Sequence, residues 1–170
     1  GGTIGGIDSS LYSNWKNQFY SPGAAASYLA TDKVRGHFNQ LYISCTVGNE
    51  MPDLIVASND IYAALEEAMQ LQMRYPYPYM SEKEANFGFQ GLQYKKATVV
   101  HDANVTFTES IHRAYFFQTK YIYMYEHPEA KWDEEEARKP VNQDATVIPF
   151  YWMGGTAIKN RRLQGKLFYS

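Results

Sequence analysis

The spacing of apolar residues predicts a first helix near the start of the chain. Val34, Phe38, Leu41 and Cys45 recur at intervals of four, three and four residues. Side chains at these intervals lie on one face of a helix. We therefore expect a helix over residues 27–45 that buries this face.

A second stripe of apolar residues predicts another helix, which begins after Ser58 and ends near Met73. The stripe consists of Ile61, Leu65, Ala68 and Met69. Ser58 suits the N-cap position, because serine can accept a hydrogen bond from a backbone N–H of the first turn. Asp60, in the first turn, is favoured by the helix dipole.

Short apolar runs and alternating patterns predict the strands. Residues 53–57 form a short run, continuously apolar after Asp53, that fits a strand buried on both faces. Further strands are expected over residues 92–100, 114–118, 121–125, 145–153 and 156–169. The Gly154-Gly155 pair predicts the turn of a hairpin between the last two. The pattern indicates an α+β fold, with two early helices and a late, largely antiparallel sheet.

Three segments read as loops or surface elements. Residues 1–23 form a glycine-punctuated arm with little core of its own, which therefore needs a partner surface in this chain or another. Two prolines keep residues 74–80 extended, so their tyrosines either fold back onto the domain or contact a neighbouring subunit. Residues 126–144 are polar, and the acidic run 133–136 within them is typical of a solvated face.

Composition narrows the classes of function. The 170 residues suit one domain or two small lobes, and aromatic residues make up 16% with 15 tyrosines. Tyrosine is equally typical of subunit interfaces and of ordinary strands. A formal net charge of -2 argues against dedicated nucleic-acid readout, while contact with packed DNA stays open. The single cysteine, Cys45, fits a reducing compartment and is typical of buried filler.

The motifs of common enzymes and metal sites are absent from the sequence. It contains no phosphate-binding glycine loop, no nucleophile elbow and no metal-ligating histidine pair. Glu109 and His112 lie three residues apart, but a metal would need further ligands. We expect no enzyme, no cofactor and no metal. Two alternatives stay open: a sugar-binding module using exposed tyrosine and tryptophan, and a hydrolase built from His101, Asp102 and Glu109.

Several stretches, in order, resemble the major capsid proteins of tailed bacteriophages with the Hong Kong 97-like fold, and more narrowly their C-terminal portion. The resembling stretches are residues 5–8, 14–18, 52–58 with 61–65, 88–97, 114–121, 141–145 and 160–165. The resemblance implies a spine helix of a peripheral domain, plus an axial domain with a mixed β-sheet and a flanking helix. Little precedes Gly5, where such proteins carry an arm and an extended hairpin, so either the chain is a C-terminal portion of a longer one or the resemblance is partial.

The resemblance implies domain boundaries and an assembly role. Residues 1–26 would form an extended segment, 27–51 and 126–170 the peripheral domain, and 52–125 the axial domain. The chain would be a subunit of an icosahedral head, forming hexamers and pentamers around double-stranded DNA. Expected partners are other copies, scaffold and portal proteins, and packaged DNA in non-specific contact. The expected location is the virion, after assembly in the host bacterial cytoplasm. The sequence itself contains no run that approaches the ~20 apolar residues needed to span a membrane.

The features left without a catalytic role predict the subunit interface. The candidate interface residues are Trp15, Tyr75, Tyr77, Tyr79, Glu134, Glu135, Arg161 and Arg162. Opposite charges across an interface fix its register more than they add affinity. The sequence therefore predicts ion pairs between the acidic run 133–136 and Arg161 or Arg162.

Overall fold

The computed structural model describes residues 3–23, 31–70, 92–105 and 112–169. Its helices are α1 (Thr31–Cys45) and α2 (Asn59–Gln70). Its strands are β1 (Thr3–Ile4), β2 (Ile7–Asp8), β3 (Gln18–Gly23), β4 (Leu54–Ala57), β5 (Leu92–Tyr94), β6 (Ala97–His101), β7 (His112–Phe117), β8 (Ile122–Glu134), β9 (Phe150–Ile158) and β10 (Gly165–Tyr169). In these ranges, neither helix has the length and apolar character that crossing a bilayer requires.

The chain divides into two compact units. The first comprises Gly1–Thr119 and Asn160–Ser170, and the second comprises Lys120–Lys159. The helix α1 belongs to the same unit as β4–β7, although the resemblance assigns these elements to different domains. The names peripheral and axial therefore stay predictions.

In the first unit, the described strands form a six-stranded sheet in the order β3-β10-β7-β4-β6-β5. The pairs β3–β10 and β4–β6 are parallel, and the other three pairs are antiparallel. The strand β4 lies inside the sheet, as its continuous apolar run predicts. Ile55 and Ala57 are buried on one face, whereas Leu54 and Val56 are half-buried on the other.

One face of the sheet carries the core. The predicted stripe of α1 is confirmed, because Val34, Phe38, Leu41 and Cys45 are all buried. The Phe38 ring lies 5.2 Å from that of Phe116 on β7, centroid to centroid. Each such side chain contributes about 1.5–3 kcal/mol through burial. Ile61 and Leu65 of α2 complete the same cluster, which confirms the second predicted stripe.

Gly165 is the point of closest approach between α1 and the sheet. A Cβ atom at this position would lie 2.5 Å from Cys45 Sγ and 3.2 Å from Leu41 Cδ1. Only glycine at position 165 therefore allows α1 to pack this closely against β10.

The predicted single strand over residues 92–100 is wrong, because the structure has two strands there. β5 and β6 pair antiparallel, with Tyr94 opposite Ala97, so Lys95 and Lys96 form the turn between them. Lys95 has a φ of 56°, the left-handed conformation that such a turn requires. Lysine is not a typical residue for this turn, so the sequence gives no local signal for it. The Lys95 Nζ donates to Asn39 Oδ1 at 2.6 Å, which anchors the turn to α1.

The N-terminal arm finds part of its partner surface within the chain. Residues Gln18–Gly23 form the edge strand β3, which pairs in parallel with β10. Residues Ser13–Trp15 form a single 3-10 turn before it. The prediction that the arm needs a partner is thus met by the sheet for these six residues.

The second unit is built on a two-stranded hairpin of β8 and β9. The predicted turn at Gly154-Gly155 is wrong, because both glycines lie within β9, opposite Glu126 and Tyr125. The connection runs instead through residues 135–149, where an isolated bridge joins Arg138 to Val147. A Cβ at Gly154 would lie 2.5 Å from Trp152 Cζ2. This glycine therefore makes room for an indole ring and not for a turn.

The outer parts of this hairpin also differ from the prediction. The strand expected over residues 145–153 starts only at Phe150, and the return strand expected over residues 156–169 is divided between β9 and β10. The segment expected to be a polar loop is strand as far as Glu134. Its register shifts between Glu126 and Lys131, so β8 bulges around Pro128, which has no N–H to donate to a ladder.

Candidate functional site

The residues of the hypothetical hydrolase do not form a reactive cluster where the structure describes them. The His101 ring lies 5.2 Å from the Tyr62 ring, centroid to centroid. Asp102 Oδ1 accepts a hydrogen bond from the Asn104 backbone N–H at 2.8 Å, as in a turn. His112 Nδ1 lies 2.9 Å from Asp60 Oδ2 on α2, and Glu109 lies outside the described residues. No group of three or more metal-ligating side chains occurs within the described ranges.

Cys45 has the environment of a structural residue and not of a nucleophile. Its thiol is buried against Gly165 and Leu41, beneath the sheet. Burial raises the pKa of this thiol to about 12, so the reactive thiolate is scarce at neutral pH. The expectation of buried filler is confirmed.

Two of the predicted interface residues, Trp15 and Arg161, contact each other within one chain. The Arg161 guanidinium lies 5.8 Å from the Trp15 ring centroid, and one of its nitrogens donates to Asn17 Oδ1 at 3.3 Å. All three residues are half-buried. Arg161 therefore fastens the N-terminal arm to the segment that precedes β10.

Arg162 also binds within the chain. Its side chain donates to the backbone oxygen of Ser44 at 2.6 Å, near the C-terminal end of α1. A cation there satisfies a free carbonyl and complements the helix dipole. Since both arginines already hold internal contacts, they are poorly placed to receive the acidic run of a neighbour. Their role at a subunit interface stays a prediction.

The predicted acidic residues lie on the second unit. Glu134 ends β8 opposite Phe150 and is exposed. Glu135 forms an ion pair with Arg138. Asp133, Glu134 and Glu136 are exposed and have no cation partner among the described residues. Tyr75, Tyr77 and Tyr79 lie outside the described residues.

The β8–β9 hairpin presents an apolar surface that the sequence interpretation missed. Alternate residues of β9 and their partners on β8 share one face, which we call the hairpin face. Its large apolar members are Ile122, Met124, Phe150, Trp152 and Ile158. Met124 is 60% exposed and Phe150 is 63% exposed. The run of four large apolar residues at 150–153 is the signal for an exposed apolar hairpin, but the misplaced turn obscured it.

An ion pair and a hydrogen bond to the same carboxylate lie in the middle of the hairpin face. Lys131 Nζ lies 3.1 Å from Glu126 Oε2, and Trp152 Nε1 donates to Glu126 Oε1 at 3.5 Å. These two contacts, Lys131 first, hold the pKa of Glu126 below its ordinary value. The Trp132 ring lies 6.1 Å from the Trp152 ring, centroid to centroid. The positive φ of Trp132, 52°, accompanies the bulge at this position.

In the part of the chain that the structure describes, the six-stranded sheet also presents a partly exposed surface, on the side opposite the helices. One register row crosses five strands there, and the row is Phe19, Lys166, Tyr115, Val56 and Val100. We call this side the outer sheet face. The next row pairs Phe168 with Arg113. This face therefore combines aromatic rings with two cations.

Comparison with solved structures identifies the fold. The capsid of the Myoviridae phage XM1 matches with a TM-score of 0.57 and 12% identity, over 92% of this chain and 53% of that chain. The holo-SrpI encapsulin complex from Synechococcus elongatus PCC 7942 matches with a TM-score of 0.55 and 12% identity, over 88% and 52%. The chain thus spans about half the length of these structures. No protein-family model and no curated protein sequence matches it.

These similarities confirm the predicted fold class. The chain has the mixed α+β architecture of the Hong Kong 97-like capsid fold. At 12% identity the likeness shows a fold and carries no residue-level function. Function has to be argued from the surfaces described above.

Proposed function

We propose that this chain is a structural subunit of an icosahedral bacteriophage head. Its copies associate into hexamers and pentamers, and the closed shell encloses double-stranded DNA. The capsid and encapsulin folds of its structural neighbours support a shell role. In this proposal the protein is not an enzyme, and it is located in the virion after assembly in the host cytoplasm.

The hairpin face is the observation that carries the proposal. A two-stranded hairpin is marginally stable by itself in water, so it needs a surface to pack against. Met124 and Phe150 are each at least 60% exposed on this face. Contiguous exposed apolar surface of this kind marks a protein interaction site. In a shell of identical subunits, a neighbouring copy covers it.

The remaining features fit the same role. Ring closure uses one contact repeated between successive copies, so a single chain must offer two different surfaces. The hairpin face and the outer sheet face lie on different units and provide two candidates. Scaffold and portal proteins are the further partners that the proposal implies, with packaged DNA in non-specific contact. Axial and peripheral domains, as assigned from the resemblance, belong to this proposal.

Electron microscopy and light scattering on the protein expressed from its complete gene test the proposal. We expect closed shells or capsomer rings in the wild type. Phe150→Ser, which removes a ring from the hairpin face, should weaken association by about tenfold or more. Ile43→Ser is the matched control, because Ile43 is 59% exposed on α1 and Phe150 is 63% exposed. A wild type that stays monomeric at high concentration would contradict the proposal.

A sugar-binding module has one supporting observation, the exposed pair of Trp132 and Trp152. Exposed aromatic rings suit ligands with an apolar face and polar edges. Titration with soluble oligosaccharides, monitored by tryptophan fluorescence, distinguishes this function. Saturable binding by a monomer, abolished in Trp152→Ala, would favour the module over the shell subunit.

A further inference from the structure

The outer sheet face has a charge pattern that selects an anionic partner. Arg113 and Lys166 are its two cations, and both are half-buried among rings. Lys166 Nζ lies 5.3 Å from the Phe168 ring centroid and 6.0 Å from that of Tyr115. The Arg113 guanidinium carbon lies 5.8 Å from the Phe168 centroid.

No carboxylate neutralises these cations within the described part of the sheet. The other outward-facing positions of β10, β7, β4 and β6 are apolar, aromatic or hydroxyl residues: Phe168, Tyr115, Phe117, Leu54, Val56, Thr98 and Val100. The Nε atom of Arg113 is buried and has no hydrogen-bond partner among the described residues. Buried donors are normally satisfied, so this guanidinium is left short of acceptors.

The hairpin supplies anions at a matching spacing. Glu134 and Glu136 are alternate residues, which lie about 6.6 Å apart in an extended chain. Arg113 and Lys166 are diagonal neighbours on an antiparallel pair, since Lys166 lies opposite Tyr115 and Arg113 opposite Phe168. Side chains in that relation are about 7–8 Å apart. Aromatic residues next to the acidic run, such as Phe150, match the rings of the outer sheet face.

We propose that the outer sheet face of one copy binds the acidic end of the hairpin of a neighbouring copy, with Arg113 and Lys166 facing Glu134 and Glu136. This inference rests on the proposed shell function and names one of its contacts. The contact is heterologous, because the two surfaces differ, so it propagates around a ring. It replaces the predicted pairing with Arg161 and Arg162, which are engaged inside the chain.

Complementary charge reversal tests the contact. One variant carries Lys166→Glu, and the other carries Glu134→Lys with Glu136→Lys. In either variant alone, like charges meet at every contact, and we expect association to weaken by about tenfold or more. In an equimolar mixture, reversed sheet meets reversed hairpin and wild-type sheet meets wild-type hairpin. Association should then recover in part, as measured by sedimentation velocity, since Arg113 keeps its positive charge opposite one of the new lysines.

Matched controls keep the interpretation specific. Lys96→Glu makes the same change in charge at an exposed turn, and Glu67→Lys does so on the exposed side of α2. Both controls should associate like the wild type. Circular dichroism should show that all variants are folded. Arg113→Glu is not the primary variant, because part of its side chain is buried.

The outcomes separate this contact from the shell function itself. If the wild type associates and each single-sided variant associates equally well, the contact is wrong while the shell function stands. Recovery only when both reversals occupy one chain would show contact within a chain and overturn the proposal. DNA oligonucleotide binding that Lys166→Glu abolishes, with assembly unchanged, would assign the face to nucleic acid and also overturn it. A monomeric wild type would contradict the proposed function first.

Discussion

The two units of this chain use large apolar strand residues for different purposes. In the first unit, Ile55 and Phe116 lie under two helices and are fully buried. In the second, Phe150 and Trp132 are 63% and 68% exposed on a two-stranded hairpin. Apolar strand residues stabilise a monomer only where a second layer covers them. The comparison separates residues that hold the fold from residues that are available to a partner.

The strongest way to break this comparison is to truncate one ring in each unit. Phe116→Ala should lower the free energy of unfolding by about 3–5 kcal/mol, because it leaves a cavity beneath α1. Phe150→Ala should lower it by less than about 1 kcal/mol, because that ring has little protein around it. Denaturant unfolding of the monomer measures both. Equal losses would mean that the hairpin is part of the same cooperative core.

Gly165→Ala tests the tightest contact of the first unit. The added methyl group would meet Cys45 Sγ and Leu41, so we expect a loss of about 1–3 kcal/mol. Cys45→Ala in the same chain removes the closest atom and should recover part of that loss. A double-mutant cycle measures the coupling. Additive effects of the two substitutions would show that the helix moves away from the sheet without cost.

Gly154→Ala makes the equivalent test in the second unit. Its Cβ would clash with the Trp152 indole and with the Tyr125 backbone oxygen, which lies 2.7 Å away. We expect a local loss of about 1 kcal/mol and a shift in tryptophan fluorescence. Protection of Cys45 from thiol reagents should stay unchanged, because that thiol reports on the first unit.

Gly155→Ala is the control for this substitution. Nothing lies within 4 Å of a Cβ at position 155, so fluorescence should match the wild type. Faster labelling of Cys45 in Gly154→Ala would mean that unfolding of the hairpin spreads into the sheet.

The smallest expected effect is the pH dependence of stability that His37 gives the first unit. Burial lowers the pKa of His37 from its ordinary 6.5, and the nearby Lys33 adds to this. The ring also contacts Tyr20 and accepts or donates a hydrogen bond at the Tyr169 hydroxyl, 3.0 Å away. The unfolded chain therefore binds more protons just below pH 6.5. Stability should be full above that pH and decline as the pH falls through this window.

His37→Gln should flatten this decline. Denaturant midpoints of the monomer between pH 5 and 8 measure it, with His127→Gln on the exposed hairpin as the control. A decline of unchanged steepness in His37→Gln would assign the pH dependence to other groups.

Sequence patterns predicted the helices and strands of this fold better than they predicted which strands pair. The stripes of α1 and α2 and the run in β4 were sufficient, because helix period and burial are local signals. The order of the sheet was not predictable in this way, since β3 and β10 pair across most of the chain. The turn predicted at Gly154-Gly155 was wrong because glycine occurs at sites of close packing as well as in turns. Lys95 hid a turn because lysine rarely adopts positive φ.

The candidate site was predicted less completely. Glu134 was identified correctly as exposed, and aromatic interface residues were expected, but Arg161 and Arg162 bind inside the chain. Charge alone does not reveal which cations are engaged. Arg113 and Lys166 are isolated in sequence and become neighbours only through the pairing of β7 with β10. Such a surface can be read only once the register is known.

The position of β10 between β3 and β7 also governs when the sheet can form. During translation, β7 keeps one unpaired edge until residue 169 has left the ribosome. The aromatic row and the Phe168–Arg113 pair cannot form before that point, because both include residues of β10.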